Sequence, residues 1–326
     1  MELYPLKFKP IYKERVWGGN KLSAVFNRKV NANNRIGESW EISAVKGNLS
    51  HVSNGFLKGN DIQDLIEIYM GEIVGDKVFE KFGIELPLLF KLIDSAERLS
   101  VQVHPNNELA LERHKAYGKT EMWYVIDAKP DALIYVGFKH KISKEQFMNH
   151  INKGTLLDIM NVEKVKAGDV FFLPAGRIHA IGEGLLIAEI QQTSDVTYRI
   201  YDWGRENDPA TAREMHIDLA IDAIDYNAYN KYKSDYIPKQ NEAVNLVQCP
   251  YFTTNLLELN EPKTYDYTLL DSFVVYMCLH GSAEIKCAAS SEHIMKGETI
   301  LIPAAIGQVK LIPHHCPVKL LEIYVD

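Results

Sequence analysis

Short runs in which apolar and polar residues alternate make up most of the chain, and Gly, Pro, Asn and Asp separate one run from the next. An alternation of period two is typical of strands with one buried face, and many such runs predict an all-β sandwich or barrel. Four stretches have apolar positions spaced by three and four residues instead, which predicts helices between the strands. These stretches are residues 61–82, 106–116, 143–160 and 211–225.

Two segments share one local pattern. Gly168–His179 is GDVFFLPAGRIH and Gly297–Gln308 is GETILIPAAIGQ, so that Gly and Pro are six residues apart in both and a polar residue follows five positions after the Pro. This weak repeat predicts two related β-barrel units, each with a turn glycine, an apolar strand and a proline-bearing turn. A polar connector at 226–242 places the boundary near residue 238, which gives domains of residues 1–238 and 239–326. Only the first copy is equipped for a metal, because the second has Gln308 where the first has His179.

Composition narrows the class of protein. A chain of 326 residues and 37.1 kDa with 46% apolar residues can bury a sizeable core, and its length suits two domains. The net charge of −7 gives no basic surface for a phosphate backbone, so we expect no nucleic-acid partner. The first residues lack the apolar core of a signal peptide and no apolar run approaches ~18 residues, so we expect no membrane partner and a cytoplasmic location. We expect a monomer or a weak homo-oligomer.

Three segments carry candidate chemistry. Residues 99–104 alternate strictly, so one face of a strand presents Ser100, Gln102 and His104. Residues 118–125 start another strand, and Lys119 and Glu121 share one of its faces. His179 follows a proline turn. Alone, such features are more often a solvated face, a cross-strand ion pair and a structural histidine, respectively.

The stretch 185–201 also alternates, and a continuous strand there would align polar residues on one face. Burying two acids and an arginine together is costly without a ligand or metal, so a solvated outer face is the alternative. The aligned residues would be Glu189, Gln191, Thr193, Asp195, Thr197 and Arg199.

Gln102, His104, Glu121 and His179 together offer an amide oxygen, a carboxylate and two imidazole nitrogens. Such a mixed donor set suits Zn²⁺ or another borderline divalent ion, with a position left for water or substrate. We therefore predict one Zn²⁺ per chain, with only Glu121 contributing a negative ligand.

The segment Gly168–His179 resembles the GDxxxxPxGxxH motif of the cupin superfamily. Two departures from the usual first cupin motif, Gln102 in place of a His and Glu121 seventeen residues after His104, resemble the type I phosphomannose isomerases in their short bacterial form. The resemblance implies a mainly β fold of two cupin-like jelly-roll units with inserted helices. It is carried by the segments 17–22, 36–43, 88–105, 117–128 and 174–205.

The resemblance also implies an activity, the metal-dependent interconversion of mannose 6-phosphate and fructose 6-phosphate through an enediol. Transferred by position, the four metal ligands fall on the donors named above, and the essential arginine falls on Arg199. The implied pocket wall consists of Trp17, Lys91, Ser100, Lys119, Glu189 and Asp195. Longer family members carry a His next to the motif lysine, where this chain has Gly118, so a mechanism that needs that His does not transfer.

Roles within this set follow from charge. Glu189 or Asp195 is favoured as the base beside Arg199, and Lys119 is less favoured because it would have to be neutral. Candidates for phosphate contact are Ser100, Lys91, Lys119 and Arg199, although Arg199 could instead stabilise the enediolate. Two alternatives stay open at this point. One is a cupin dioxygenase, against which Gln102 argues, and the other is a sugar-phosphate-binding cupin without turnover.

Overall fold

The structure is a computed structural model that describes residues 2–28, 34–288 and 290–326, apart from the side chains of His315 and Cys316. The described chain is mainly β, as predicted. Its strands are β1 Leu6–Lys7, β2 Ile11–Gly19, β3 Ile36–Ile42, β4 Ala44–Val45, β5 Asn48–Leu49, β6 Leu88–Ser95, β7 Val101–Val103, β8 Glu121–Ala128, β9 Leu133–Phe138, β10 Met160–Lys164, β11 Val170–Leu173, β12 His179–Ile181, β13 Leu185–Gln192, β14 Tyr198–Tyr201, β15 Ala243–Gln248, β16 Thr253–Leu259, β17 Lys263–Asp266, β18 Val274–Lys286, β19 Ser291–Met295, β20 Thr299–Ile302 and β21 Gln308–Tyr324.

Helices are short and lie between strands, as the sequence predicts. They are α1 Lys21–Phe26, α2 Ile62–Tyr69, α3 Gly71–Val74, α4 Asp76–Phe82, α5 Asn107–His114, α6 Lys144–Asn152, α7 Leu156–Ile159 and α8 Ile217–Ala223, with a 3-10 turn at Arg205–Asn207. Asp61 caps α2 by accepting hydrogen bonds from the backbone of Gln63 and Asp64, and Ser143 forms a capping box on α6. The predicted helix at 61–82 is interrupted after α2, where Met70 adopts a φ of 48°, and again at Gly75, where φ is 94°.

The chain forms two compact units. Unit 1 contains residues 1–11, 40–90 and 235–326, and unit 2 contains residues 12–39 and 91–234. Both are built from discontinuous segments, whereas the predicted division at residue 238 is linear and stays a prediction. No helix in the described part of the chain is long and apolar enough to span a membrane.

Unit 2 contains two sheets. One has the order β10-β9-β12-β7-β14, and the other starts β11-β8-β13 and continues through residues 91–95, 12–19 and 36–39. Trp123, Phe171 and Ile187 belong to a buried cluster in this unit. A second buried cluster packs α6, α7 and α8 through Phe147, Ile159 and Ala220.

Unit 1 is built on an eight-stranded antiparallel sheet in the order β1-β20-β18-β21-β16-β15. In addition, β17 pairs with β21 and β19 pairs with β18. A buried apolar cluster of this unit includes Leu257, Tyr276 and Leu320. The closed jelly-roll description of each unit stays a prediction.

The predicted repeat is visible in both units as the same local structure. Gly168 and Gly297 have positive φ values of 91° and 86°, which glycine adopts without strain. Each precedes a four-residue strand, β11 or β20. A proline turn follows, and the next strand starts at His179 in one copy and at Gln308 in the other.

The continuous strand predicted over 185–201 is wrong. β13 ends at Gln192, β14 starts at Tyr198, and the two lie in different sheets. The break forms because local polar groups satisfy the backbone: Gln191 Nε2 donates to the carbonyls of Gln192 and Ser194, and Ser194 Oγ accepts from the Val196 amide at 3.3 Å. Such side-chain bonds compete with strand pairing. Glu189 and Asp195 therefore do not share one strand face.

Candidate metal centre

Antiparallel pairing brings three of the predicted site residues into one row. His179 on β12 is the register partner of Gln102 on β7, and Gln102 is the register partner of Arg199 on β14. Register partners project their side chains to the same face with Cβ atoms ~5 Å apart. The row therefore places two predicted ligands and the predicted arginine next to one another, although they are up to 97 residues apart in sequence.

The other sheet of unit 2 contributes a carboxylate. Glu121 begins β8 and its side chain is fully buried. Glu121 Oε1 lies 3.3 Å from His179 Nε2, and Glu121 Oε2 lies 3.5 Å from His104 Nε2. One ligand atom from each of these three residues lies within 4.8 Å of the others. Gln102 Nε2 lies 3.3 Å from His179 Nε2, so the amide group reaches the same cluster.

Backbone carbonyls fix both imidazole rings. His104 Nδ1 donates to the Val196 carbonyl at 3.0 Å and His179 Nδ1 donates to the Arg177 carbonyl at 2.8 Å. With its proton on Nδ1, each ring presents the lone pair of Nε2 to the cluster. A hydrogen bond from the non-ligating nitrogen is the usual support of a metal-binding histidine.

The cluster fits the predicted ion. Two donors bound at ~2.0 Å to a tetrahedral ion are ~3.3 Å apart, close to the separations of Glu121 from the two histidines. Both Glu121 oxygens are buried: Oε2 is paired with Lys119, whereas Oε1 has no hydrogen-bond partner among the described residues. A buried carboxylate oxygen without a partner is costly, and a divalent ion would satisfy it. Rotation of the Gln102 amide about its last bond would present Oε1 instead of Nε2.

Lys119 brings a positive charge to the same place. Its Nζ lies 2.8 Å from Glu121 Oε2 as an ion pair and donates to His104 Nε2 at 3.0 Å. The same Nε2 lone pair cannot serve both this donor and a metal ion, so ligation requires the ammonium to move away from His104. The predicted meeting of the Lys119 and Glu121 side chains is confirmed by this contact, although β8 starts at Glu121 and Lys119 precedes the strand.

Burial and charge shift the pKa values of these groups. Burial lowers the pKa of His179 to about 4 and is the largest cause of this shift. Burial also lowers the pKa of His104 well below its usual value. Burial raises the pKa of Glu121 to about 7, although the Lys119 charge opposes the rise. For Lys119, burial lowers the pKa but the charges of Glu121 and Glu189 more than offset it, so the pKa is raised.

A second buried ion pair lies beside the cluster. Lys91 Nζ donates to Glu189 Oε1 at 3.0 Å and to Gln191 Oε1 at 2.5 Å. Trp123 Nε1 donates to Glu189 Oε2 at 2.7 Å, and the Trp123 ring packs edge-on against His179. Burial raises the pKa of Glu189, but the charges of Lys91 and Lys119 outweigh it and the pKa is lowered. Glu189 is thus an ionised carboxylate with both oxygens engaged.

The remaining predicted residues are spread around this centre. Ser100 is buried, and its Oγ lies 3.4 Å from Gln102 Oε1. Trp17 is buried in the apolar cluster of unit 2, and its place on a pocket wall stays a prediction. Asp195 is exposed in the break between β13 and β14, next to the Val196 carbonyl that orients His104.

Gly118 has a packing reason in this chain. A Cβ at this position would lie 2.5 Å from the backbone of Asn106 and Asn107. A histidine therefore does not fit there without movement of the α5 N-terminus. This agrees with a mechanism that does not use a His next to Lys119.

Arg199 is held at one end of the row. Its Nε donates to Ser100 Oγ at 3.3 Å and its Nη1 donates to the Glu214 carbonyl at 2.7 Å. Burial, followed by the charge of Arg213, lowers the pKa of Arg199 to about 10, so the guanidinium stays charged at neutral pH. Glu214 and the carbonyls of Val196 and Arg177 were not predicted, because a backbone acceptor leaves no signal in residue type.

Comparison with known proteins identifies the family to which the chain belongs. The family model for the catalytic domain of type I phosphomannose isomerase matches residues 5–137, and the model for the mannose-6-phosphate isomerase cupin domain matches residues 242–315. A mannose-6-phosphate isomerase of Bacillus subtilis is 33% identical over 95% of this chain and 96% of its own length. The chain belongs to the type I phosphomannose isomerase family.

Further relatives agree with this family. The mannose-6-phosphate isomerase of Streptococcus mutans is 34% identical over 95% of this chain and 98% of its own length. A crystal structure of the mannose 6-phosphate isomerase from Bacillus subtilis superimposes with a TM-score of 0.88 at 30% identity, covering 99% of this chain and 100% of that one. Family membership confirms the predicted resemblance and makes metal dependence the expectation for the His104, Glu121 and His179 cluster.

Proposed function

We propose that this chain interconverts mannose 6-phosphate and fructose 6-phosphate through an enediol, at the row formed by His179, Gln102 and Arg199. Full-length similarity to mannose-6-phosphate isomerases supports the reaction. The observation that carries the proposal at residue level is the meeting of two oriented imidazoles and the buried carboxylate of Glu121 beside a fixed guanidinium. A cupin dioxygenase is not favoured, because the family relatives are isomerases.

We assign the metal site to Gln102 Oε1, His104 Nε2, a Glu121 oxygen and His179 Nε2, with zinc as the ion. When bound, a zinc ion supplies a Lewis acid that polarises the oxygens on the reacting carbons of the sugar. Gln102 adds an oxygen donor without a second negative charge, which keeps the site electron-poor. The Val196 and Arg177 carbonyls keep the two imidazole rings in the ligating tautomer.

Proton transfer between C2 and C1 requires a base with a free oxygen. Both oxygens of Glu189 accept hydrogen bonds from Lys91 and Trp123, which supports a role for Glu189 in holding those two side chains. Asp195 is exposed next to the segment that orients His104, so we assign it the base. Lys119 stays protonated because Glu121 and Glu189 raise its pKa, and it can therefore donate to a sugar oxygen but not abstract a proton.

Arg199 is assigned to the developing charge of the enediolate. Ser100 and the Glu214 carbonyl hold its guanidinium before substrate arrives, and such preorganised charge is the largest usual contribution to catalysis. Lys91 and Lys119 are both paired with buried carboxylates, which favours Ser100 and Arg199 among the phosphate candidates. Trp17 stays assigned to the pocket wall.

A coupled assay for fructose 6-phosphate, combined with metal analysis, tests the proposal. We expect His104→Ala and Glu121→Ala to lose both the metal and turnover, and Arg199→Ala to keep the metal and lose most turnover. His150→Ala is a matched control, since His150 bonds Thr155 on the helical side of unit 2 and should change neither quantity. Ligand binding without turnover by the metal-loaded protein would contradict the proposal, as would full metal content in His104→Ala.

A further inference from the structure

Asp202 is a fully buried carboxylate one residue after β14, and it lies outside the site described above. Its oxygens accept hydrogen bonds from Arg205 Nη2 at 2.7 Å, Arg213 Nε at 2.9 Å and Arg213 Nη2 at 2.5 Å. The bond to Arg213 is a two-point fork, which fixes the guanidinium plane as well as its distance. Asp202 therefore ties together two arginines from a long connecting segment.

This connection ends at the candidate arginine. Arg213 directly precedes Glu214, whose backbone carbonyl accepts from Arg199 Nη1 at 2.7 Å. Two residues later, His216 closes a pair of bonds with the Arg199 backbone: its amide donates to the Arg199 carbonyl at 2.7 Å, and its Nδ1 accepts from the Arg199 amide at 3.2 Å. The segment that Asp202 anchors is thus the segment that holds Arg199.

The two bonds on the Arg199 side chain determine where it points. With Nε held by Ser100 and Nη1 held by the Glu214 carbonyl, the planar guanidinium has one orientation. Among the described residues, no partner accepts a hydrogen bond from Arg199 Nη2. Moving the Glu214 carbonyl would release the guanidinium from this orientation and alter what Nη2 presents to substrate.

Asp202 also balances charge around Arg199. Arg205 and Arg213 act on Arg199 as like charges, whereas Asp202 acts as the opposite charge. Without the carboxylate, three guanidinium groups would repel one another across a partly buried region, and the connecting segment would be free to shift.

We propose that Asp202 is a positioning residue for the isomerisation, acting through Arg213 and the Glu214 carbonyl to hold the Arg199 guanidinium in its working orientation. This inference rests on the proposed role of Arg199. It predicts that the effect of Asp202 on turnover exists only while Arg199 is present.

The test is Asp202→Asn in two backgrounds, the unchanged chain and Arg199→Ala, with turnover of metal-loaded protein followed over hours at high enzyme concentration. The asparagine keeps the volume but not the charged fork. We expect kcat/KM to fall about 10- to 100-fold in the unchanged background, the size of loss that misplacement by ~1 Å can cause. In the Arg199→Ala background we expect a further fall of less than about threefold.

Two further variants separate positioning from general destabilisation. Arg213→Lys keeps a charge but not the fork, and it should show the same dependence on Arg199. Asp222→Asn removes an exposed carboxylate paired with Arg113 and Lys144 in the same unit, and it should leave kcat/KM unchanged. Metal content should be equal in all variants.

Equal losses from Asp202→Asn in both backgrounds would overturn the inference, because a purely structural defect does not depend on Arg199. No loss in the unchanged background would overturn it as well. Full activity in Arg199→Ala alone would refute the role of Arg199 in the proposed function, which is a distinguishable result.

Discussion

The buried pair of Lys91 and Glu189 allows a prediction of stability from the structure. Their side chains are 7% and 4% exposed, and the Nζ to Oε1 distance is 3.0 Å. Lys91→Met keeps the length of the side chain but removes one of the two donors to Glu189 described above. The other donor, Trp123 Nε1, remains, and the ionised carboxylate loses its ion-pair partner. Removing one member of a buried pair costs ~3–5 kcal/mol, so we expect the free energy of unfolding to fall by about that amount.

Neutralising both members should reverse most of this loss. In Lys91→Met with Glu189→Gln, no charge is left uncompensated, and replacement of a whole buried pair is often nearly neutral. Urea unfolding of the metal-free proteins, followed by tryptophan fluorescence, gives the comparison. Lys164→Met is the control, since Lys164 pairs with Asp131 on the surface at 79% and 82% exposure and should cost less than about 1 kcal/mol.

Two results would refute this reasoning. One is a Lys91→Met variant as stable as the Lys164→Met control, which would mean that Glu189 is not ionised or that its charge is compensated elsewhere. The other is a double variant that loses the sum of the two single losses, which would mean that the two groups act independently.

Three further predictions concern Glu322, the cap of α2 and the metal requirement. Burial raises the pKa of Glu322 despite hydrogen bonds from Asn255 and Tyr267. The folded state therefore keeps this proton to higher pH than the unfolded state does, and the free energy of unfolding falls as pH rises between the pKa values of the two states. Glu322→Gln should therefore gain stability relative to the unchanged chain as pH increases from 5 to 8 in urea unfolding, and a pH-independent difference would contradict this. Asp61→Ala removes the cap of α2 and should cost ~1 kcal/mol in the same assay, whereas Asp61→Asn should cost much less. Chelator treatment should abolish turnover and added Zn²⁺ should restore it in the coupled assay, and activity that survives with metal content below one-tenth per chain would be evidence against a metal-dependent reaction.

The sequence predicted the parts of the fold that depend on local chemistry. The paired Gly and Pro of the repeat fix a turn, a strand and a second turn, and both copies form as predicted around His179 and Gln308. The cap residue Asp61 marks a helix start because its carboxylate satisfies the first free amides. Local interactions of this kind involve residues a few positions apart, so they depend little on how the rest of the chain packs.

Errors arose where local hydrogen bonds competed with periodicity. The alternation across 185–201 is real, but Ser194 and Gln191 bond nearby backbone groups and end the strand. The break places the Val196 carbonyl against His104, which a continuous strand would not do. Pattern alone could not have chosen between these outcomes, because both satisfy the same apolar positions.

The sequence predicted the side chains of the candidate site but not the backbone groups that orient them. Gln102, His104, Glu121 and His179 are residue types with recognisable metal chemistry, so the sequence could nominate them. Their meeting depends on strand register across two sheets, and the carbonyls that orient the imidazoles belong to the backbone. Neither register nor backbone direction is encoded in residue type at those positions.

The proposed chemistry requires one cation held between the two sheets of unit 2. The most direct measurement is an anomalous difference map from crystals of the purified protein, collected on both sides of the zinc absorption edge. We expect a single strong peak per chain, within bonding distance of Gln102, His104, Glu121 and His179. A peak bound by other residues, or an active protein with no peak at this cluster, would contradict it.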